Sequence, residues 1–328
     1  MKIKSKRTRA YAIAAAMSLS LIATTHPARA TDPQAGDAAA VPPNLNLLLY
    51  YNVVIGSGTV TATNGTNSDH TRLAIDANVF RYIHTVDIGG YTAGVDVVLP
   101  YETYLGNQKV DGTSLAHKNG FGQPNFGLFF WPINQPKAGN YLLVSGWVSP
   151  PISSFSKINN LTAPVLTPAN NLLTEEIEIG ARTRLLGTQS TPNLALEGWS
   201  TTYFYQENSN YASVNLPSAY GPVSEDVTYH EQPTEEMRTY LTYTFKPEIG
   251  AFAAIGFLQS FGGKQTLSIA GVPQSLDTGN RTNESQLRFF LTSFLAPSIQ
   301  ASAFVYYDVA AHGGPKQRIV ALRLIKIF

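Results

Sequence analysis

The stretch IVALRLIKIF, residues 319–328, sets Val320, Leu322 and Leu324 on one side of an extended chain and Arg323 on the other, and it stops on Phe328. A two-residue period of this kind reads as a strand with one apolar and one polar face. The same period recurs upstream. In EIEIGARTRLL, Ile177, Ile179, Ala181, Thr183 and Leu185 alternate with Glu176, Glu178, Arg182 and Arg184; in MRTYLTYTFK, Met237, Leu241 and Phe245 alternate with Arg238, Tyr240 and Thr242. In QLRFFLTSFL, Leu287, Phe289 and Leu291 oppose Gln286, Arg288 and Thr292.

About twelve such segments follow one another, near 44–55, 73–84, 88–99, 121–131, 140–152, 174–186, 194–207, 236–246, 251–261, 285–295, 299–308 and 317–328. Their connections alternate in length. Short turns are expected near 85–87, at NQPKAGN, GTQSTPN and PEIG, and at 296–298, with longer loops between them and a last outer loop around AAHGGP. Short turns at one end and long loops at the other define an up-and-down transmembrane antiparallel β-barrel of the outer-membrane type, with the turns periplasmic. Lipid offers no partner to a backbone amide, so the sheet must close. A barrel closes by pairing its last strand with its first, which would set Phe328 in the aromatic belt at the periplasmic interface. Tyr50-Tyr51, Phe129-Phe130-Trp131, Phe289-Phe290 and Tyr306-Tyr307 supply aromatics for such belts. The competing reading of these aromatics is the core of a secreted β-sandwich.

The other end of the chain agrees with export. Residues 1–30 have a basic start, an apolar run and Ala28-Arg29-Ala30, the pattern of a signal peptide cleaved after Ala30. The run is shorter than a spanning helix needs. No twin arginine or lipidation cysteine accompanies it, so the general export route is expected. Residues 31–43, rich in Ala, Pro and Gly, form a short periplasmic or lumenal segment, read here as a periplasmic tail, and 44–328 form the barrel.

Composition removes several functions. Only 14% of residues are charged and the net charge is +1, too little for a nucleic-acid partner. With zero cysteines there is no thiolate metal site, cysteine nucleophile or disulfide scaffold, and the six histidines show no zinc-binding spacing. No cofactor is expected. A barrel lipase or deacylase would need a serine within reach of a histidine base, and no closely spaced serine follows His70, His84, His117, His230 or His312 in the way such enzymes carry one, so no enzyme activity is expected.

If the apolar faces meet lipid, the polar faces line the lumen. That assigns Asp76, Asp96, Glu176, Glu178, Arg182, Arg184, Arg238, Tyr240, Arg288, Phe290 and Arg323 to the interior, with Asn78, Phe80, Phe304 and Tyr306 beside them. Arg81 then falls on the apolar face of its strand, which points to a bulge or another register. Arginines bind carboxylates with two bonds and stack on rings, so such a lumen suits a weakly polar ring bearing a hydroxyl or carboxylate. The same residues can equally be the packed filling of a small barrel.

Three stretches carry a family resemblance. TDPQAGDAAAVPPNLNLLLYY at 31–51, LPY at 99–101 and GFGQPNFGLFF from Gly120 stand in the order seen in the outer-membrane family named for the meta-cleavage pathway of phenol degradation, which includes sphingosine-induced outer-membrane proteins. Gln123 stands where the family usually has aspartate, and SPPISS replaces its P-T-G stretch. The closing decapeptide also resembles the carboxy-terminal assembly signal of outer-membrane barrels, with Phe328 last and Lys326 at a position usually apolar. The resemblance implies a transporter of aromatic or other hydrophobic compounds; because residues 31–43 are far too short for the plug domain of an energised receptor, transport is expected to be passive diffusion. Its partners would be the outer-membrane bilayer, the barrel-assembly machinery and a small hydrophobic or aromatic solute. A lipid-responsive receptor or structural barrel is the alternative.

Overall fold

A computed structural model describes residues 32–328 apart from 63, 156, 159–164, 219, 220, 271, 274 and 282; the signal-peptide reading lies outside the described residues. Twelve long strands make the wall: β1 (Asn46–Thr61), β2 (Leu73–Ile88), β3 (Tyr91–Tyr104), β4 (Asn125–Gln135), β5 (Asn140–Ser149), β6 (Thr174–Leu186), β7 (Asn193–Tyr205), β8 (Thr234–Lys246), β9 (Ala251–Gly262), β10 (Asn283–Ala296), β11 (Ile299–His312) and β12 (Gly314–Ile327). Each pairs antiparallel with its sequence neighbours. The ring is sealed by β12 on β1, where Tyr51 faces Arg323 and Asn52 faces Leu322. At the seam Phe328 also accepts the Asn46 amide at 2.9 Å.

All twelve expected strands are present, and the differences lie in turns and facing. The β2–β3 turn sits at Gly89-Gly90, later than expected, because two successive glycines with φ of 61° and 88° supply the backbone twist a two-residue hairpin needs. The outer loop expected around AAHGGP is a single residue, Gly313. His312 stays paired to Asn283 and Gly314 to Thr61, so β11 and β12 part above Tyr307 and Arg318, and the Gln317 amide donates to the Asp308 carboxylate at 2.6 Å.

At the loop end the chain builds further sheet. Asn208–Ser218 and Gly221–Glu231 form a hairpin that continues through Gln265–Ile269 to Leu276–Asp277, over an apolar cluster including Tyr211, Val227, Tyr229 and Leu267. A smaller sheet joins Gln108–Val110, Thr113–His117 and Val165–Leu166.

The facing of β6, β8, β10 and β12 follows their periodicity: Ile177, Met237, Leu291 and Leu322 are exposed outward while Glu176, Arg238, Arg288 and Arg323 are buried inside. β2 is reversed from expectation. Leu73, Ile75, Ala77 and Val79 are buried inside, and Asp76, Asn78 and Phe80 point outward. The cause is Arg81, which reaches Asp96 on β3 at 2.6 Å within the barrel. Outside, Asn52 donates to Asp76 at 2.7 Å and the Tyr50 hydroxyl donates to Asn78 at 2.5 Å, so these polar groups satisfy one another at the outer wall. Lys326 also faces out and donates to Ser298 at 2.7 Å, beside the turn between β10 and β11.

Inside, large rings are set against glycines on neighbouring strands. Phe129 faces Gly94, Trp147 faces Gly127, Trp199 faces Gly180 and Tyr240 faces Gly256. A Cβ on any of these four glycines would collide with the ring across from it. The small residue lets the ring lie flat along the wall, an aromatic-over-glycine arrangement that also pins strand register.

Candidate functional site: a segment seated in the lumen

The amino-terminal segment, 32–43, runs through the barrel interior, which corrects its reading as a periplasmic tail. Ala35 and Ala38 are almost wholly buried within the cluster that includes Trp131, Trp147, Trp199 and Tyr240. A turn tightens it, with the Asp37 amide donating to the Gln34 carbonyl at 3.0 Å. Gly36, at φ 96°, passes so close to the Phe252 ring that a side chain there would press on it. The segment leaves through Asn44, whose amide donates to the Thr85 carbonyl at 2.8 Å.

Charged groups of the wall hold the segment in place. Asp32 lies between two arginines, 2.7 Å from Arg238 Nε and 2.8 Å from Arg288 Nη1. The Tyr240 hydroxyl donates to the Pro33 carbonyl at 2.8 Å and accepts from Arg288 at 3.0 Å. Glu197 accepts the Gly36 amide at 3.1 Å and the Trp199 indole at 2.8 Å, and it pairs with Arg182 at 3.1 Å. Asp37 pairs with Arg323 at 3.1 Å, and the Trp131 indole donates to the Ala38 carbonyl at 2.9 Å.

The arginines are themselves anchored. Arg288 donates to Gln286 at 2.7 Å and lies 4.3 Å over the Tyr306 ring. Arg238 donates to Thr201 at 2.8 Å and is ion-paired with Glu236. Phe290 packs edge-on against Tyr240 and stacks on Phe304, which stacks in turn on Tyr306. Glu178 accepts from Ser145 at 3.0 Å and from Thr201 at 3.2 Å. Burying so many charges costs free energy that only close pairing offsets.

Among the described residues, a cavity lies on each side of the segment. The one toward the loops, about 110 Å³, is lined by Asp32, Gln34, Arg288, Phe304 and Tyr306, with Tyr51, Val53 and Ile55 of β1. The one toward the turns, about 210 Å³, is lined by Ala35, Asp37 and Arg323, the rings of Phe129, Trp131, Trp147 and Trp199, and Arg81 with Asp96.

Arg238, Tyr240, Arg288 and Phe290 thus converge around Asp32. Arg323 meets the segment at Asp37, Arg182 pairs with Glu197, which in turn accepts the Gly36 amide, Asp96 binds Arg81, and Glu176 and Glu178 are buried in the wall. Two residues depart from this group. Asp76 lies on the outer wall, and Arg184 caps the β4–β5 turn by donating to the carbonyls of Lys137 and Pro136 at 2.8 and 3.1 Å. Periodicity had no means of finding Asp32 and Asp37, because the segment belongs to no strand. Glu197 is legible as a charge in a strand but is not among the expected lumenal residues, and Arg81, which the sequence places on an apolar face, lies inside because the register of its strand is the other one. Gln123 donates to the carbonyls of Ser149 and Leu172, tying the SPPISS loop to the base of β6.

At the loop end Ser268, His230 and Glu207 stand in the order of a hydrolytic triad, with His230 2.9 Å from Ser268 Oγ and 3.3 Å from Glu207. The Glu207 side chain is 63% exposed, so it lacks the burial that lets a carboxylate orient a histidine base.

A closed twelve-stranded antiparallel barrel with apolar outer faces and a charged, aromatic interior is an outer-membrane β-barrel. Residues 57–324 match the family described as "Putative MetA-pathway of phenol degradation", and the chain belongs to that family. Among solved structures, an outer membrane channel from Pseudomonas putida F1 is similar over 90% of this chain and the whole of its own, with a TM-score of 0.70 at 15% identity, which is a likeness of fold. The beta domain of the Bordetella autotransporter BrkA, at 7% identity over 86% of this chain and 98% of its own, has a TM-score of 0.46. A mutant of the monoaromatic hydrocarbon channel TodX, at 8% identity over 87% and 91%, has a TM-score of 0.40. No curated protein matches the chain.

Proposed function

We propose that the protein is an outer-membrane channel for passive passage of small hydrophobic or aromatic compounds, and that residues 32–43 are its plug. The observation that carries this reading is the pair of cavities on either side of a segment that belongs to no strand of the wall. A barrel interior filled only for stability has no need of a detachable element. The turn-side cavity favours flat apolar solutes, since rings and aliphatic side chains form most of its wall, whereas the loop-side cavity joins Phe304, Tyr306, Val53 and Ile55 to polar side chains that include Arg281, Glu284 and Gln317.

The test is planar-bilayer conductance of the refolded protein, intact and lacking residues 32–43. The intact chain is expected to conduct rarely, and the shortened chain steadily, with current blocked by a phenolic compound. A shortened chain that folds and never conducts would remove the channel reading. The receptor alternative would then gain from the loop-end sheet and its own apolar cluster, which offer a rigid surface to the exterior. We also assign to the closing strand, with Phe328 at its end, the role of signal to the barrel-assembly machinery; replacing Phe328 with serine should slow membrane insertion in cells without changing the folded barrel's stability.

A further inference from the structure

The channel reading leaves the cargo's chemistry open, and the inference here rests on that reading. Asp32 reaches the interior as a carboxylate on a tether; one oxygen lies 2.7 Å from Arg238, and Arg288 straddles both, at 2.8 and 3.0 Å. The two arginines differ in what else answers their charge. Arg238 also pairs with Glu236, whereas among the described residues Arg288 forms an ion pair with Asp32 alone. Arg288 is nearly inaccessible to solvent, so withdrawing Asp32 would strand a cation in a water-poor site. The plug can therefore leave readily only if another anion takes its place.

The surroundings specify that anion. Above Asp32 the loop-side cavity has Phe304, Tyr306, Val53 and Ile55 along its inner wall and polar side chains, among them Arg281, Glu284 and Gln317, toward its loop end, and Arg288 sits 4.3 Å over the Tyr306 ring. A ligand filling this space needs an apolar body with a carboxylate at its inner end. Its volume, about 110 Å³, grows by the space of the Asp32 side chain once that residue leaves. A single aromatic ring is of that order, since benzene enters a cavity of about 150 Å³. A neutral phenol or hydrocarbon fits the walls and offers nothing to Arg288.

We infer that the loop-side cavity is a binding site for aromatic carboxylates, and that Asp32 is a built-in competitor whose displacement by such a ligand unseats the plug. Asp32 mimics the ligand's anionic end, and the ring stack supplies the contacts by which the ligand outbids it. An uncharged ring passes only when the plug opens unaided.

The experiment is calorimetric titration of the refolded full-length mature chain with benzoate, benzyl alcohol and acetate, for the native sequence and for Asp32→Asn. The substitution lies off the barrel wall and removes the competitor's charge while leaving Arg288, Phe304 and Tyr306 in place. Benzoate is expected to bind Asp32→Asn about tenfold or more tightly than the native chain, because affinity is lowered by whatever fraction of molecules holds the site closed. Benzyl alcohol should bind both alike, and acetate should bind weakly to both. Adding Arg288→Gln to Asp32→Asn should bring benzoate down to the affinity of benzyl alcohol; Arg288→Lys, which keeps the charge, should retain part of the gain and serves if the glutamine variant fails to fold. Equal benzoate affinity in native and Asp32→Asn chains, or an equal gain for benzyl alcohol, would overturn the inference. The conductance of the chain lacking residues 32–43 judges the channel reading separately, since the titration requires no open pore.

Discussion

At Gly180 and Trp199 the wall is thin by design of its residues: the indole occupies the space a side chain on the facing strand would fill. Gly180→Val should therefore destabilise the barrel by about 1–3 kcal/mol, the usual cost of overpacking, read as a lower urea midpoint in refolding from detergent. The two aspartates on neighbouring strands make a sharper contrast. Asp96→Leu leaves Arg81 buried without its partner, and a broken buried pair costs about 3–5 kcal/mol. Asp76→Leu, on the outer wall, should change stability by about 0.5 kcal/mol or less, or raise it. Equal losses from both in urea titrations would contradict the facing of β2. Asp277, in the loops, is a case for pH. Burial raises its pKa, but the Gly279 amide and the neighbouring Lys264 and Arg281 outweigh burial and hold it below the ordinary 3.8. A depressed carboxylate contributes stability above its unfolded value and loses it as pH falls through the folded one. Protection from hydrogen exchange around 276–281, taken relative to the intrinsic rate at each pH, should fall below about pH 3.8 in the native chain, and this acid step should be absent in Asp277→Asn.

Among the elements, β12 carries the most information for its length, because its outer and inner faces have opposite tolerances. Leu322 is 60% exposed toward lipid and Arg323 is buried against Ser302 and Asp37. Leu322→Arg should cost about 2–4 kcal/mol near the membrane midplane, seen as a smaller folded fraction on unheated gels. Arg323→Leu should leave the barrel folded and loosen the segment at Asp37. The reverse pattern would mean that the strand faces the other way. Periodicity was sufficient wherever one face was plainly apolar, as in β6, β8 and β12. It misled in β2, where both faces are mixed and the deciding contact, Arg81 with Asp96, runs between strands. The Gly89-Gly90 turn was legible, since two adjacent glycines are among the strongest hairpin signals, and its position was misjudged only because the strand continues to Ile88.

For the molecule as a whole, the barrel was readable because lipid imposes a closed sheet and a two-residue period. The plug was not. Residues 32–43 have neither periodicity nor a strand partner, and their contacts reach Glu197, Tyr240, Arg288 and Arg323, each more than 150 residues away. Only the segment's two aspartates, set against several lumenal arginines, hinted at a destination. One placement has an optical consequence. The chain has three tryptophans, and Trp131, Trp147 and Trp199 all line the turn-side cavity beside the segment. The tryptophan emission of the protein, excited selectively at the red edge, therefore originates in one compartment, and the Trp131 indole is bonded to the segment itself. Emission from the native barrel should be blue-shifted, move toward red when residues 32–43 are removed, and be quenched by a nitroaromatic that enters, so the molecule carries its own dye for watching the lumen fill and empty. A spectrum unchanged by the deletion would show that the segment does not shield these rings in solution.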